Sequence, residues 1–395
     1  MVELVIQDCT MPTYLRAAPL FESGSGAWLV DQDGKRYVDC LSGIGVNSLG
    51  HAHPRLVAAL TDQVRTLGHV SNLYRHAPGE ELSARLCERT GMDAVFFSNS
   101  GSEANETALK LARKVHSAGG RSERQHFVAL EGGFHGRTFG SLSVTSRETH
   151  RAPFGRGLEA EFVPVNDIAA LGAALERAPA AFIFEPIQGE GGIRSLDRAF
   201  LHAARELCSA TGTVMIADEV QCGGGRTGSF LACEQHGVSP DVVTLAKPIG
   251  AGLPIGATLA RGAFAQALVP GEHGSTFGGG PIACRAALCL LDELDDGLQE
   301  HVVSIGAALQ KGLDDLVERH AILTERRGLG LLQGLVAPGH SAAIVEQFFA
   351  AGVLTCSAAN DVVRFLPPYV LSSDDLDTAL GRIDSVLSNF SQDPS

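Results

Sequence analysis

The chain has 395 residues, 45% hydrophobic and 19% charged, which is the composition of a globular protein with a large core and excludes a disordered one. Its formal net charge of −14 argues against a dedicated nucleic-acid binder, which would need a basic face, while small anionic ligands need only a few well-placed arginines. Nine scattered cysteines, none at CxxC spacing, argue against a disulfide framework or a structural zinc site and point to a reducing compartment.

At roughly 100–200 residues per domain, the length predicts two domains or one large domain with an appendage. The opening MVELVIQDCT places acids where a signal peptide needs a basic segment, and no apolar stretch approaches the ~18–20 residues of a membrane helix. The expectation is a soluble cytoplasmic protein with neither nucleic-acid nor membrane partners.

Residues 1–55 read as an N-terminal arm. From 56 to 290 short apolar runs alternate with helical patterns, as expected of one large domain. The runs are Ala94–Phe97, Phe127–Leu130, Phe182–Phe184, Val214–Ala217, Val242–Leu245 and Ala257–Ala260. Each is brief and apolar throughout, the pattern of strands buried on both faces of a mostly parallel sheet. Between Phe97 and Phe127 lies a strongly signalled helix. Ser100 and Glu103 have capping-box spacing, and Ala104, Ala108, Leu111, Ala112 and Val115 then share one face. Residues 291–395, with longer amphipathic segments and a glycine-rich patch at Gly328–Gly334, read as a smaller α+β C-terminal domain. The fold class is α/β, a mostly parallel central sheet covered by helices.

Ligands of such sheets bind beyond the carboxyl ends of the strands. Polar residues stand at those ends: Asn99-Ser100-Gly101-Ser102, Glu185, Asp218 and Lys247. Alone, each has an ordinary reading as a loop or turn residue. Together they match the needs of pyridoxal phosphate, which are a lysine for its aldehyde, an acid for its ring nitrogen and an anion site for its phosphate. Lysine's amine must be neutral to react, and burial lowers its pKa from about 10.4. The N–H groups of a helix start suit a phosphate dianion.

The wider text carries a resemblance. Leu49–Pro54, Ser98–Glu106, Phe134–Thr138, Glu185–Gly192, Asp218–Gln221, Gly225–Gly228, Leu245–Lys247, His273–Gly279 and Val363–Pro368 occur in the order found in the class III, fold type I pyridoxal-phosphate aminotransferases. Within that family the chain is most similar to the acetylornithine branch. The resemblance implies that Lys247 carries the cofactor as a Schiff base and moves the substrate proton. It implies that Asp218 holds the pyridine N–H, Gln221 lies near the ring hydroxyl, Phe134 stacks on the ring, and Gly101 and Ser102 contact the phosphate. Thr276, beside Ser275 at the substrate site, would reach the phosphate of a second subunit, making a homodimer with shared active sites.

For substrates, the resemblance implies Arg137 for the α-carboxylate of an N-acylated ornithine and the side-chain carboxylate of glutamate. Arg364 would bind glutamate's α-carboxylate, with Glu190 as its partner otherwise. A two-pronged Arg–carboxylate pair is worth roughly 1.5–3 kcal/mol. Without the motif, Arg364 would read as a surface salt bridge. Ile44 stands where ornithine aminotransferases carry a Tyr that grips the free α-amino group, which points to an acylated amine.

Pro248, Gly280 and Cys356 depart from the family's usual Ala or Gly, Asn and Asn. His51-Ala52-His53 lacks a third ligand for zinc and reads as a structural turn, so no metal is expected. The glycines of Gly223–Gly225 and Gly250–Gly256 lack the phosphate-loop context. The expected activity is transfer of the δ-amino group of N2-acetyl-L-ornithine to 2-oxoglutarate in arginine synthesis. Succinylornithine, ornithine, 4-aminobutyrate, a carrier-bound lysine and an aminomutase reaction are the alternatives.

Overall fold

The computed structural model describes residues 9–17, 19–359 and 361–390. The first eight residues, on which the reading of the chain's start mostly rests, lie outside them.

Seven strands form the central sheet: β1 (Ala94–Ser98), β2 (Phe127–Leu130), β3 (Ala160–Val163), β4 (Ala181–Phe184), β5 (Val214–Asp218), β6 (Val242–Leu245) and β7 (Gly256–Ala260). Their spatial order is β1-β7-β6-β5-β4-β2-β3. β7 runs antiparallel to both neighbours, and every other adjacent pair is parallel. Strands β2, β4, β5, β6 and β7 are buried along their whole length, which is why they read as unbroken apolar runs. β3 was not anticipated. It sits at the sheet edge, half-buried, and its Glu161 breaks the apolar pattern by pairing with Arg177.

Helix α1 (Gly101–Ala118) follows β1 and buries Ala104, Ala108, Leu111 and Ala112 on the expected face, with Val115 half-buried beside them. Ser100 Oγ caps it by accepting from Glu103 N at 3.2 Å. The Glu103 carboxylate reaches back to Asn99 N at 2.6 Å, one residue before the cap.

Near residue 290 the helix Pro281–Glu293 bends at Leu294–Leu298, where Gly297 takes φ 105°, and continues as Gln299–Arg319. Beyond it lies a second sheet of β8 (Glu325–Leu329), β9 (Leu332–Val336), β10 (Cys356–Ala358) and β11 (Val362–Phe365), in the order β8-β9-β11-β10. It is antiparallel throughout. The N-terminal strands Phe21–Ser25, Trp28–Asp31 and Arg36–Asp39 form a third sheet, completed by Val353–Leu354 alongside Arg36–Asp39. The two ends of the chain thus share backbone hydrogen bonds.

Arg226 fastens these parts together. Fully buried, it donates to the carbonyls of Gly45, Leu331 and Pro367 and lies over the Tyr369 ring. Those acceptors come from the N-terminal segment, the second sheet and the turn after β11. A guanidinium satisfied by carbonyls and a tyrosine ring avoids the second desolvated charge that a buried carboxylate would add. His51 is a structural residue: its ring contacts Asp39 at 2.8 Å and Asn47 at 3.2 Å.

Candidate active site

The carboxyl ends of β4, β5 and β6 open onto a cavity of about 350 Å³, lined by Gly101, Ser102, Phe134, Asp218, Gln221 and Lys247 among others. These residues come from distant parts of the sequence. Parallel strand direction places their loops on one side of the sheet.

Asp218 ends β5, 3% exposed. Its Oδ2 accepts from Asn105 Nδ2 and from His135 Nδ1, each at 2.7 Å, and its Oδ1 accepts from Val220 N at 3.0 Å. Thr244 donates its hydroxyl to Asn105 Oδ1 at 2.8 Å, which turns the Asn105 amide so that its N–H groups face Asp218 and the His135 carbonyl. Three donors fix this buried carboxylate in place at the cavity wall. Such a carboxylate fits the protonated ring nitrogen of pyridoxal phosphate.

Lys247 opens a short 3₁₀ turn, Lys247–Gly250, after β6. Its φ of 38° is a left-handed conformation that costs a non-glycine residue about 1–3 kcal/mol, a strain typical of functional positions. Pro248 fits as the second residue of this turn, where no backbone N–H is needed, and Ser48 Oγ donates to its carbonyl at 2.7 Å. Burial pulls the Lys247 amine below its ordinary pKa, while Glu190 and Asp218 act in the opposite sense. The desolvation makes the neutral, reactive amine more accessible.

The start of α1 could hold an anion. A Cβ on Gly101 would meet Val220 Cγ1 at 2.6 Å, so only glycine allows this close approach. Ser102 Oγ accepts from Arg137 N at 3.1 Å, which leaves its own proton to donate to a further acceptor. Phe134 lines the same cavity, and its backbone N–H donates to Glu185 Oε1 at 2.9 Å. Glu185 Oε2 accepts from Gly189 N at 3.2 Å, one residue before Glu190. Burial pushes the Glu185 carboxyl up to about 7, against the pull of His135 and with the repulsion of Asp218.

On the far side stands Arg364, 2% exposed, so the surface-salt-bridge reading does not apply. Its Nη1 donates to Glu190 Oε1 at 2.5 Å and Gln221 Oε1 at 3.0 Å. Burial disfavours both charges of the Arg364–Glu190 pair, yet mutual attraction holds Glu190 below and Arg364 above the ordinary values. Arg137 is exposed, with its guanidinium 5.7 Å from the Phe134 ring centre and 3.2 Å from His150.

Arg364 and Glu190 adjoin the cavity around Lys247 through Gln221, but neither they nor Arg137, Ser275, Thr276 and Ile44 are among the residues that line it. Ser275 and Thr276 line a separate pocket with Phe96, Glu103 and His273. Ile44 is 39% exposed in a left-handed conformation, φ 64°, and Val46 reaches the cavity lining instead. Gly280, the third departure with Pro248 and Cys356, precedes helix Pro281–Glu293 without a side-chain cap. Conversely, sequence reasoning assigned no role to Asn105, His135 or Thr244. The available signal was an Asn among alanines on the apolar face of α1.

A buried acid, a desolvated lysine and a helix start at the ends of parallel strands are the parts that a lysine-anchored cofactor would need. Residues 14–387 match the model of the class III aminotransferases, and the chain belongs to that family. It is 43% identical to acetylornithine aminotransferase 1 of Bradyrhizobium diazoefficiens over 377 residues, covering 95% of this chain and 93% of the relative. Among solved structures, it superposes on ornithine aminotransferase of Toxoplasma gondii with a TM-score of 0.92 at 32% identity, covering 96% of this chain and 92% of the other. On N-acetylornithine aminotransferase of Stenotrophomonas maltophilia the TM-score is 0.83 at 34% identity, covering 94% and 95%.

Proposed function

We propose that this aminotransferase uses pyridoxal phosphate to transfer the δ-amino group of N2-acetyl-L-ornithine to 2-oxoglutarate, a step of arginine synthesis. The products are N-acetylglutamate 5-semialdehyde and L-glutamate. The substrate reading rests on full-length likeness to acetylornithine aminotransferases, at 43% identity to that of Bradyrhizobium diazoefficiens and 34% to that of Stenotrophomonas maltophilia.

When bound, the cofactor supplies an electron-withdrawing ring that stabilises the charge left as the substrate C–H bond breaks. Asp218 would pair with the ring nitrogen, and Gly101 and Ser102 would receive the phosphate. Phe134 would lie against the ring and Gln221 near its hydroxyl. Lys247 Nζ anchors the cofactor and then takes and returns the substrate proton, a role for which its lowered pKa suits it. Arg137 and Arg364 bind the substrate carboxylates, with Glu190 holding Arg364 when no second carboxylate is present.

The donor preference is testable. Free ornithine brings a second ammonium, and an unpaired charge entering an apolar pocket costs several kcal/mol. Val46, which lines the cavity in place of Ile44, offers it no hydrogen bond, whereas acetylation replaces the charge with a neutral amide. A difference of about 2.8 kcal/mol gives a roughly hundredfold higher kcat/KM for acetylornithine. A donor panel with 2-oxoglutarate, comparing acetylornithine, succinylornithine, ornithine and 4-aminobutyrate, measures this. Equal values for ornithine and acetylornithine would overturn the substrate reading.

The working unit is a cytoplasmic homodimer. Thr276 is exposed outside the Lys247 cavity, while Leu73, Tyr74 and Phe277 leave 85%, 71% and 68% of their surface open. Asn72 joins the two segments by donating to the carbonyls of Ser275 and Gly278. Apolar side chains grouped beside a polar loop are the mark of an interface, here with a second copy whose phosphate site Thr276 completes. Thr276→Ala is expected to raise the cofactor's Kd roughly tenfold, about 1.4 kcal/mol, with an unchanged unfolding midpoint of the apoprotein. Equilibrium dialysis measures the first quantity. A fully active monomer by sedimentation would overturn the shared site.

A further inference from the structure

Directly across from Arg364 on the neighbouring strand stands Cys356, its partner in the antiparallel register of β10 and β11, so the two side chains leave one face of the sheet. The Arg364 guanidinium is divided between two sides. Nη1 is taken by Glu190 and Gln221. Nε and Nη2, the edge whose parallel N–H groups can grip a carboxylate two-pronged, both point at the single Sγ of Cys356, at 3.4 and 3.2 Å. Burial keeps this thiol protonated by pushing its pKa up, although Arg364 pulls the other way. A neutral thiol is a weak acceptor. It therefore holds the fork without competing strongly with an incoming carboxylate. Without it, every remaining hydrogen bond of the buried guanidinium would lie on the Glu190 side.

We propose that Cys356 is a specificity-determining positioning residue, whose thiol holds the Nε/Nη2 fork of Arg364 against the pull of Glu190 and yields it to the α-carboxylate of the dicarboxylate substrate. This deepens the reading of Arg364 as the anchor of glutamate and 2-oxoglutarate, and rests on it. Cys356 and Glu190 thus pull on opposite edges of one guanidinium. The acetylornithine half of the reaction places no carboxylate on Arg364, so it does not depend on this balance.

Steady-state kinetics of the holoenzyme separate the two substrates. Cys356→Ala is expected to raise KM for 2-oxoglutarate and for glutamate about five- to tenfold, with KM for acetylornithine within about twofold. Cys356→Ser, which restores an acceptor of similar size, is expected to return most of the loss, and Cys356→Val to behave like the alanine variant. In a Glu190→Gln background the alanine effect should vanish, because the opposing pull is gone. The proposal is overturned if the soluble, folded Ala and Val variants leave the dicarboxylate KM unchanged, if they shift both substrates equally, or if the effect persists undiminished in the Glu190→Gln background. Arg364→Met distinguishes the underlying reading: if it leaves the dicarboxylate KM unmoved, the anchor assignment fails and this proposal with it. If it raises that KM while Cys356→Ala does not, only the role of Cys356 falls.

Discussion

Lys247→Ala is expected to lower kcat by about 10³-fold or more, because the proposed role has one group both anchor the cofactor and move the proton. Positioned acid–base catalysis alone contributes roughly 10²–10⁴-fold. At 1.36 kcal/mol per decade, a 10³-fold loss is about 4 kcal/mol of barrier. Folding should survive, since the replaced amine is one that burial already pushes toward neutrality. A small primary amine added in solution is expected to restore part of the rate. In the wild-type protein, borohydride reduction and peptide mapping should leave the pyridoxyl label on Lys247. A label on any other lysine, or near-normal turnover by the alanine variant, would remove Lys247 from the mechanism.

Asp218→Asn tests the second pillar of the site. The substitution keeps the shape and removes the charge. Its amide also brings an N–H₂ group into a place now furnished by three donors, from Asn105, His135 and Val220. Either that group meets another donor, or it turns toward the ring nitrogen and disfavours the protonated ring. A hydrogen bond to a charged group is worth about 1.5–3 kcal/mol, so cofactor Kd should rise roughly 10- to 150-fold. The fall in kcat should be larger, about 10²–10³-fold, because an unprotonated ring stabilises the developing charge poorly. Titration of apoprotein with pyridoxal phosphate and single-turnover rates measure the two effects separately. Unchanged binding together with unchanged turnover would show that another group serves the ring nitrogen.

Much of this site was readable because its parts sit at strand ends. Lys247, Asp218 and Glu185 each follow a run buried on both faces, and burial on both faces is what makes a strand conspicuous. The edge strand β3 escaped notice for the converse reason, since a half-buried strand with a paired glutamate has no continuous apolar signal. Asn105 and His135 were equally hidden as functional residues. Each looks ordinary within its own segment, and each becomes a support for Asp218 only when α1 and the loop after β2 meet over β5.

By itself the sequence determined the α/β class, the capped helix after β1 and the residues that could serve a lysine-anchored cofactor. Those features depend on near neighbours: turn chemistry, side-chain period and the polar residue that ends a buried strand. Tertiary structure decided what lies between those parts. It buried Arg364 and brought it to Glu190 across 174 positions of chain, where the local text alone had indicated a surface salt bridge. It set Cys356 against the same guanidinium through strand register, and it left Ile44 partly exposed while Val46 reached the cavity. No local pattern encodes these contacts, because a buried charge finds its partners only after distant strands have paired and expelled the water that would otherwise have satisfied it.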